Sequence, residues 1–162
     1  MSTEPILMTK PLIALYQPDI PGNTGSILRL GACLGLGIHI IGPAGFDMTD
    51  RSLKRAGMDY IEMANLTRHD GWEEFEVWRQ AENRRLVLMT TQSATPYIDG
   101  GDQTIIAQDV VLFGRESAGV PPKVHEAADA RLTIPMIDGR RSLNLAMSVA
   151  IIAGEITRRF GL

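Results

Sequence analysis

Residues 12–37 read Leu12-Ile13-Ala14-Leu15-Tyr16-Gln17-Pro18-Asp19-Ile20-Pro21-Gly22-Asn23-Thr24-Gly25-Ser26-Ile27-Leu28-Arg29-Leu30-Gly31-Ala32-Cys33-Leu34-Gly35-Leu36-Gly37. The stretch opens on five apolar residues with no polar alternation, the pattern of a strand buried on both faces. Pro18, Pro21 and Gly22 stop it. From Asn23 the pattern turns helical, with Ile27, Leu28, Leu30, Cys33, Leu34 and Leu36 recurring at three- and four-residue spacing, and Gly35 and Gly37 close the helix.

The same strand-then-helix grammar continues outward. Ile38 to Ile41 is a second buried strand, stopped by Gly42-Pro43. Thr49-Asp50 caps a helix that runs through Arg55 and ends at Gly57. Tyr60 to Met63 is expected as a strand. Asp70 or Gly71 opens a helix carrying Trp72, Phe75, Val77 and Trp78. Strands are expected at Arg85–Thr90, Asp109–Phe113 and Leu132–Ile134. Pro121-Pro122 starts a short helix through Ala127, and Ser142 caps the longest helix, which reaches Phe160. Residues 92–108, with Gly100-Gly101, are expected as a mobile loop. This alternation predicts an α/β fold with a mostly parallel sheet covered by helices on both faces. Ligands of such sheets sit beyond the carboxyl ends of the strands, in the loops after Tyr16, Ile41, Thr90, Phe113 and Ile134.

Composition narrows the function. A length of 162 residues suits one domain, 1–162, with residues 1–10 expected as a flexible lead. An apolar fraction of 44% excludes disorder as the main state. A net charge of −3 argues against non-specific coating of nucleic acid, which needs a basic footprint. Local basic faces stay open at Arg51/Lys54/Arg55, Arg84/Arg85, Arg140/Arg141 and Arg158/Arg159. Spacing alone favours a solvated surface for each. Cys33 is the single cysteine, so no intrachain disulfide and no cysteine zinc site can form, and a reducing cytoplasmic compartment fits. Met1 to Lys10 lacks the apolar stretch of a signal peptide or anchor. The longest nearly apolar stretch, Ala146 to Ala153, falls far short of the ~20 residues of a membrane span.

Several familiar sites fail on one residue. A dinucleotide fingerprint would need glycine where Ile40 follows Gly35 and Gly37. A phosphate loop would need lysine where Pro43 follows Gly42, or where Val120 follows Gly119. His125-Glu126 lacks the second histidine of a zinc-protease helix. Ser117 has Arg115, not glycine, two residues before it, so it is no nucleophile elbow. His39, His69 and His125 are scattered, and no metal is expected.

Three segments place glycine, proline and polar side chains where strands meet loops. The first is Pro21-Gly22-Asn23-Thr24-Gly25-Ser26-Ile27-Leu28-Arg29. Asn23 is positioned to cap the helix, whose N-terminus suits an anion. Spacing alone slightly favours a capped helix with a solvated arginine. The second is Phe113-Gly114-Arg115-Glu116-Ser117-Ala118-Gly119-Val120-Pro121. Gly114 permits close approach, and Glu116 puts a carboxylate in a tight loop. The third runs Ile134-Pro135-Met136-Ile137-Asp138-Gly139-Arg140-Arg141-Ser142-Leu143-Asn144-Leu145-Ala146. Asn144 there lies in the first turn of a helix, although asparagine is a poor helix former.

In order and spacing, these segments resemble the SPOUT-superfamily RNA ribose 2′-O-methyltransferases over roughly Leu12 to Phe160. With Leu15-Tyr16-Gln17-Pro18-Asp19-Ile20-Pro21 and Arg55-Ala56-Gly57-Met58-Asp59-Tyr60, the chain is most similar to the tRNA wobble-nucleotide enzymes of the TrmL type. It departs from the family pattern at Ser26 (usually asparagine), Ala146 (commonly serine) and Gly154 (commonly tyrosine).

The resemblance implies a C-terminal deep trefoil knot, which sequence physics would not propose, since knots are nearly absent among folds. It implies methyl transfer from S-adenosylmethionine, giving S-adenosylhomocysteine, with no metal. The acceptor would be the ribose 2′-hydroxyl of the first anticodon nucleotide, cytidine or modified uridine, in tRNA(Leu)-type substrates. Met89, Thr90, Gly114, Ile134, Met136 and Ser142 would contact the cofactor. Arg29 would stabilise charge on the 2′-oxygen, with Asn23, Glu116 and Asn144 orienting it and the ribose. The partners implied are tRNA and a second copy through the last helix (Ala146-Met147, Ile151-Ile152, Ala153-Gly154), with no DNA and no membrane. Competing readings are the same methylation at another tRNA or rRNA site, and a non-catalytic RNA-binding module of the same fold. A flavodoxin-like nucleotide or signalling domain matches the alternation but none of the segments.

Overall fold

β1 (Leu12–Tyr16) lies inside a six-stranded sheet of order β3-β2-β1-β5-β4-β6. Its companions are β2 (Ile38–Ile41), β3 (Leu66–His69), β4 (Leu86–Met89), β5 (Val110–Phe113) and β6 (Ala130–Leu132). Every pairing is parallel. The helices are α1 (Pro21–Leu34), α2 (Asp50–Arg55), α3 (Trp72–Ala81), α4 (Pro122–Ala127) and α5 (Leu145–Phe160), with a 3₁₀ turn at Gly101–Gln103. This computed structural model describes residues 10–59, 63, 65–139 and 143–162. The expectation of a flexible lead falls on residues 1–10, of which 1–9 lie outside that set.

β1, β2, β4 and β5 are apolar throughout except for His39, because both their faces are covered. On one face, Ile13, Leu15, Ile38, Ile40, Val87, Met89, Val111 and Phe113 pack against Ile27 and Leu28 of α1 and Val149, Ile152, Ala153 and Ile156 of α5. On the other, Ala14, Tyr16, Ile41, Leu88 and Leu112 meet Trp72 and Phe75 of α3 and Val124 of α4. The two-sided α/β architecture is as the alternation predicts.

Four local expectations are corrected. α1 begins at Pro21, not at Asn23: proline at the first helical position has its φ preset and no N–H left to cap. The third strand is Leu66–His69 and not Tyr60–Met63. Residues 60–62 lie outside the described set, and Met63 N–H donates to Asp59 O (3.1 Å), a helical bond. β3 escapes the pattern because it is a half-exposed edge strand carrying Thr67 and Arg68. α5 is capped by Asn144, whose Oδ1 accepts from Ala146 N (2.8 Å) and Met147 N (3.3 Å); Ser142, the expected cap, lies outside the described residues. The last strand ends at Leu132.

Residues 92–108 are pinned, not loose. Thr133 N–H donates to Thr95 O (2.8 Å), and Tyr97 N–H donates to Thr133 O (3.0 Å). Arg85, Asp109 and Arg159 tie down the rest. The Arg85 guanidinium donates to Thr104 O (2.7 Å), Ile106 N–H to Asp109 Oδ2 (2.7 Å), and Arg159 Nη1 to Ile105 O (2.7 Å).

β2 carries one polar residue inward. His39 stacks on His69 and Trp78, and its Nδ1 lies 2.8 Å from His69 Nε2. That bond needs one nitrogen without a proton. Burial, reinforced by the His69 and Arg84 charges, pushes His39 down to about 4. The unfolded chain therefore binds more protons between that value and 6.5, and stability rises with pH across the window. Going from pH 6.5 to pH 5 is expected to remove about 1.5 kcal/mol. Urea unfolding at both pH values measures it, and His39→Phe should flatten the dependence.

Candidate active site

A cleft of about 720 Å³ opens beyond the carboxyl ends of β4, β5 and β6. That size falls within the range of small-molecule sites. Its walls include Leu88, Phe113, Val120 and Leu145, with Thr90, Gln92, Asn144 and Ser148 supplying polar groups. Met89, Thr90, Gly114, Ile134 and Met136, all expected from the sequence, line it. Ser142 lies outside the described residues.

β5 feeds directly into a tight turn. Arg115 N–H donates to Gly119 O (3.0 Å) and Gly119 N–H to Arg115 O (2.9 Å). A Cβ at Gly114 would sit 2.7 Å from Gly119 backbone atoms, so only glycine lets this turn close. Gly119 itself has φ +65°, the left-handed region that glycine enters without strain.

The turn presents Glu116 to α1. One carboxylate oxygen accepts from Asp19 N–H (2.9 Å) and the other from Asn23 Nδ2 (3.1 Å). Asn23 Oδ1 in turn accepts from Asn144 Nδ2 (3.2 Å), and Asn144 Oδ1 caps α5. A carboxylate only accepts and a helix N-terminus only donates, so both amide orientations are forced. The three segments singled out in the sequence thus meet in a single hydrogen-bond relay at the cleft wall. Asn23 serves this relay instead of capping α1, and Asn144 is useful as both cap and relay member.

Arg29 is not brought to the same place. It lies six residues beyond Asn23, about 9 Å along the axis and rotated away from it. Its residue is exposed and does not line the cleft of its own chain.

Sequence reasoning missed other groups. The Ser117 hydroxyl donates to Asp19 Oδ2, and the Arg115 guanidinium lies 3.6 Å from the same oxygen while donating to Gln17 Oε1 (3.2 Å). Nothing in local spacing pairs residues 98 positions apart. His125 and Glu126 line the wall, and His125 Nε2 is buried with no hydrogen-bond partner among the described residues. Their only signal was a failed metal motif. Among the described residues no group of three or more His, Cys, Asp or Glu could hold a metal ion, and no helix is long and apolar enough to cross a membrane.

An open parallel sheet, a cleft at the strand ends and glycine-tight turns around it define an α/β protein with a cleft of small-molecule size there. Comparison with known proteins narrows the class. The chain belongs to the SpoU rRNA methylase family, whose model matches residues 10–154. It is 52% identical over 149 residues to the tRNA (cytidine(34)-2′-O)-methyltransferase of Ancylobacter novellus, covering 92% of each chain. It is 40% identical over 157 residues to the enzyme of the same name from Escherichia coli K12, covering 92% of this chain and 93% of that one. A solved structure described as giving insight into 2-OH methylation of C/U34 on tRNA superposes with a TM-score of 0.80 at 34% identity, over 93% of this chain and 96% of that one. AviRb of Streptomyces viridochromogenes, a SpoU methyltransferase in complex with AdoMet, superposes with a TM-score of 0.79 at 25% identity, over 96% of this chain and 59% of that one.

Proposed function

We propose that this protein transfers a methyl group from S-adenosylmethionine to the ribose 2′-hydroxyl of the wobble nucleotide of tRNA, a cytidine or a modified uridine. The observation that carries the reading is the Glu116–Asn23–Asn144 relay on the wall of the cleft. The cleft suits the cofactor. Its volume is adequate, its walls mix apolar and polar groups, and Met89, Thr90, Gly114, Ile134 and Met136, at and just beyond the strand ends, offer backbone groups to an adenine edge. When bound, S-adenosylmethionine supplies an electrophilic methyl on sulfur.

The protein's part is alignment and charge. The 2′-hydroxyl is a weak nucleophile, so the site must hold it in line and stabilise the charge that develops on oxygen. Arg29 supplies the positive charge that stabilises it. A guanidinium is not a base, because it does not deprotonate in proteins. Glu116 accepts one hydrogen bond on each oxygen, from Asp19 N–H and from Asn23 Nδ2, so this carboxylate orients Asn23 and, through it, Asn144.

Arg29 must reach a cleft it does not line, which favours a homodimer in which one protomer's arginine serves its partner. Leu143, Met147 and Ile151 are exposed at four-residue spacing beside the cleft, and Gly154 extends the same helix outward. Ile152 and Ala153, offered by the sequence for the same interface, are fully buried core. The trefoil knot is part of the reading. β6 pairs with β4 on one side; Gln103 of the connection leaving β4 accepts from Arg131 N–H, and residues 95–97 of that connection bond to Thr133, just past β6. The whole chain acts as one domain, in the cytoplasm.

Incubation with labelled S-adenosylmethionine and total tRNA lacking this modification, followed by site mapping, tests the proposal. Label is expected on the ribose of the first anticodon nucleotide. Label at another tRNA or rRNA position would replace the substrate, and absence of both label and cofactor binding would reject the enzyme. Sedimentation of the same preparation is expected to give a dimer.

A further inference from the structure

The sequence carries four basic clusters, and the structure sorts them. Arg85 is held by the buried Asp109 carboxylate through two bonds of 2.8 Å. Arg84 lies over the Trp78 ring at 5.8 Å, beside the buried histidine pair, and burial lowers its pKa. Arg158 is bridged to Glu155 at 2.9 Å, and Arg159 donates to Ile105 O. Arg140 and Arg141 lie outside the described residues. Arg51, Lys54 and Arg55 of α2 are exposed, and none of them makes an ion pair or hydrogen bond through its side chain to a described residue.

Their arrangement on α2 is ordered. Leu53 is the buried anchor, 5% exposed. At 100° per residue, Arg51, Lys54 and Arg55 all project at least a quarter turn away from it, and Arg51 and Arg55 share one face at i,i+4 spacing. A like-charged pair at that spacing weakens a helix, so local stability does not account for it. The two acids nearest its start in sequence, both exposed, already accept hydrogen bonds. Asp50 pairs with Arg68 of β3 at 2.9 Å, and Asp47 accepts from Thr49 N–H at 2.9 Å. Asp47 still lies close enough to feel Arg55. Thr49 Oγ1 caps the helix by accepting from Ser52 N–H (3.2 Å), so the platform is fixed at its start.

The location is equally specific. α2 follows β2 at the same end of the parallel sheet as the cleft. The turn after α2 seats Met58 on α1: its Cε lies 3.1 Å from where a Cβ on Gly25 would be. Gly25 is one helical turn before Arg29, so the turn after α2 meets α1 on the side that carries Arg29. β2 is three strands from β4, about 14 Å at the usual strand spacing.

We propose that the outward face of α2, Arg51, Lys54 and Arg55, is the surface that grips the RNA backbone, binding phosphates on the strand that carries the nucleotide being methylated. This rests on the tRNA-methylation reading for its partner. It explains how a chain of net charge −3 holds a polyanion: three exposed cations share the outward side of one helix, while Asp50 is paired with Arg68.

The test is equilibrium binding of fluorescently labelled, unmethylated tRNA over a salt series. Each phosphate contact contributes roughly 0.7–0.9 to the slope of log affinity against log salt, so Arg51→Gln/Lys54→Gln/Arg55→Gln is expected to flatten it by about 2. KM for tRNA should rise in parallel, while calorimetric affinity for S-adenosylmethionine shows that the fold is intact. Arg158→Gln, whose cation is engaged with Glu155, should leave the slope as it was. A triple variant within about half a unit of the wild-type slope overturns the proposal. Binding is read without turnover. Failure of this face is therefore distinct from failure of the methylation reading, which the wild-type protein reports by its labelled product.

Discussion

Arg29→Ala is expected to lower the rate of methyl transfer by about 10²–10³-fold, the cost of removing one preorganised donor from a site where charge develops on oxygen. A guanidinium acts here by charge and geometry. It carries a permanent charge and a planar fork of donors, so its contribution grows as the 2′-oxygen becomes an alkoxide. Arg29 does not line the cleft of its own chain, so affinity for S-adenosylmethionine should be unchanged by calorimetry. Arg29→Lys should recover only part of the rate, since it keeps the charge and loses the fork. If the arginine acts across a dimer, mixing Arg29→Ala with a Glu116→Ala protein should restore activity through hybrid dimers. A wild-type single-turnover rate for Arg29→Ala would remove this residue from the chemistry.

Asp109→Ala should cost about 3–5 kcal/mol, the usual price of stripping one partner from a buried ion pair. Asp109 is fully buried and accepts from Arg85 Nε and Nη2 and from Ile106 N–H. Hydrogen bonding to Asp109 is the main reason the Arg85 pKa is raised. Without the carboxylate, Arg85 stays half-buried with its charge uncompensated, while it still donates to Asp102 O (3.2 Å) and Thr104 O (2.7 Å). For a domain of this size that corresponds to a fall in Tm of roughly 6–20 °C. The damage should spread to the cleft, because Thr90, Thr91 and Gln92 on its rim belong to the same connection. Cofactor affinity should therefore weaken together with stability. Asp109→Asn, which keeps one acceptor, should lose less. A Tm within about 2 °C of wild type would show that the pair holds little.

Much of the fold was legible because buried parallel strands announce themselves. Ile38 to Ile41 and Asp109 to Phe113 read as strands since both their faces need apolar cover. β3 did not, because an edge strand with Thr67 and Arg68 facing solvent has no such signature. Asn23 and Asn144 were each read as local features of a helix start. For Asn144 the cap was real but assigned to Ser142, and for Asn23 the local reading failed. A proline at position 21 already satisfied the geometry, leaving the amide for a partner distant in sequence. The 92–108 connection looked loose because Gly100-Gly101 interrupt its middle, yet long-range bonds from Arg85, Asp109 and Arg159 hold it.

The sequence by itself determined the layered α/β architecture and the three glycine- and proline-marked segments that meet at the cleft, because periodicity and glycine–proline punctuation are encoded within a few residues. Only the tertiary structure decided that Glu116, Asn23 and Asn144 form one relay, that Arg29 stands apart from the cleft, and which basic cluster is left facing outward. Those are relations between residues many positions apart, and they come into being when parallel strands bring their carboxyl ends to the same edge of the sheet.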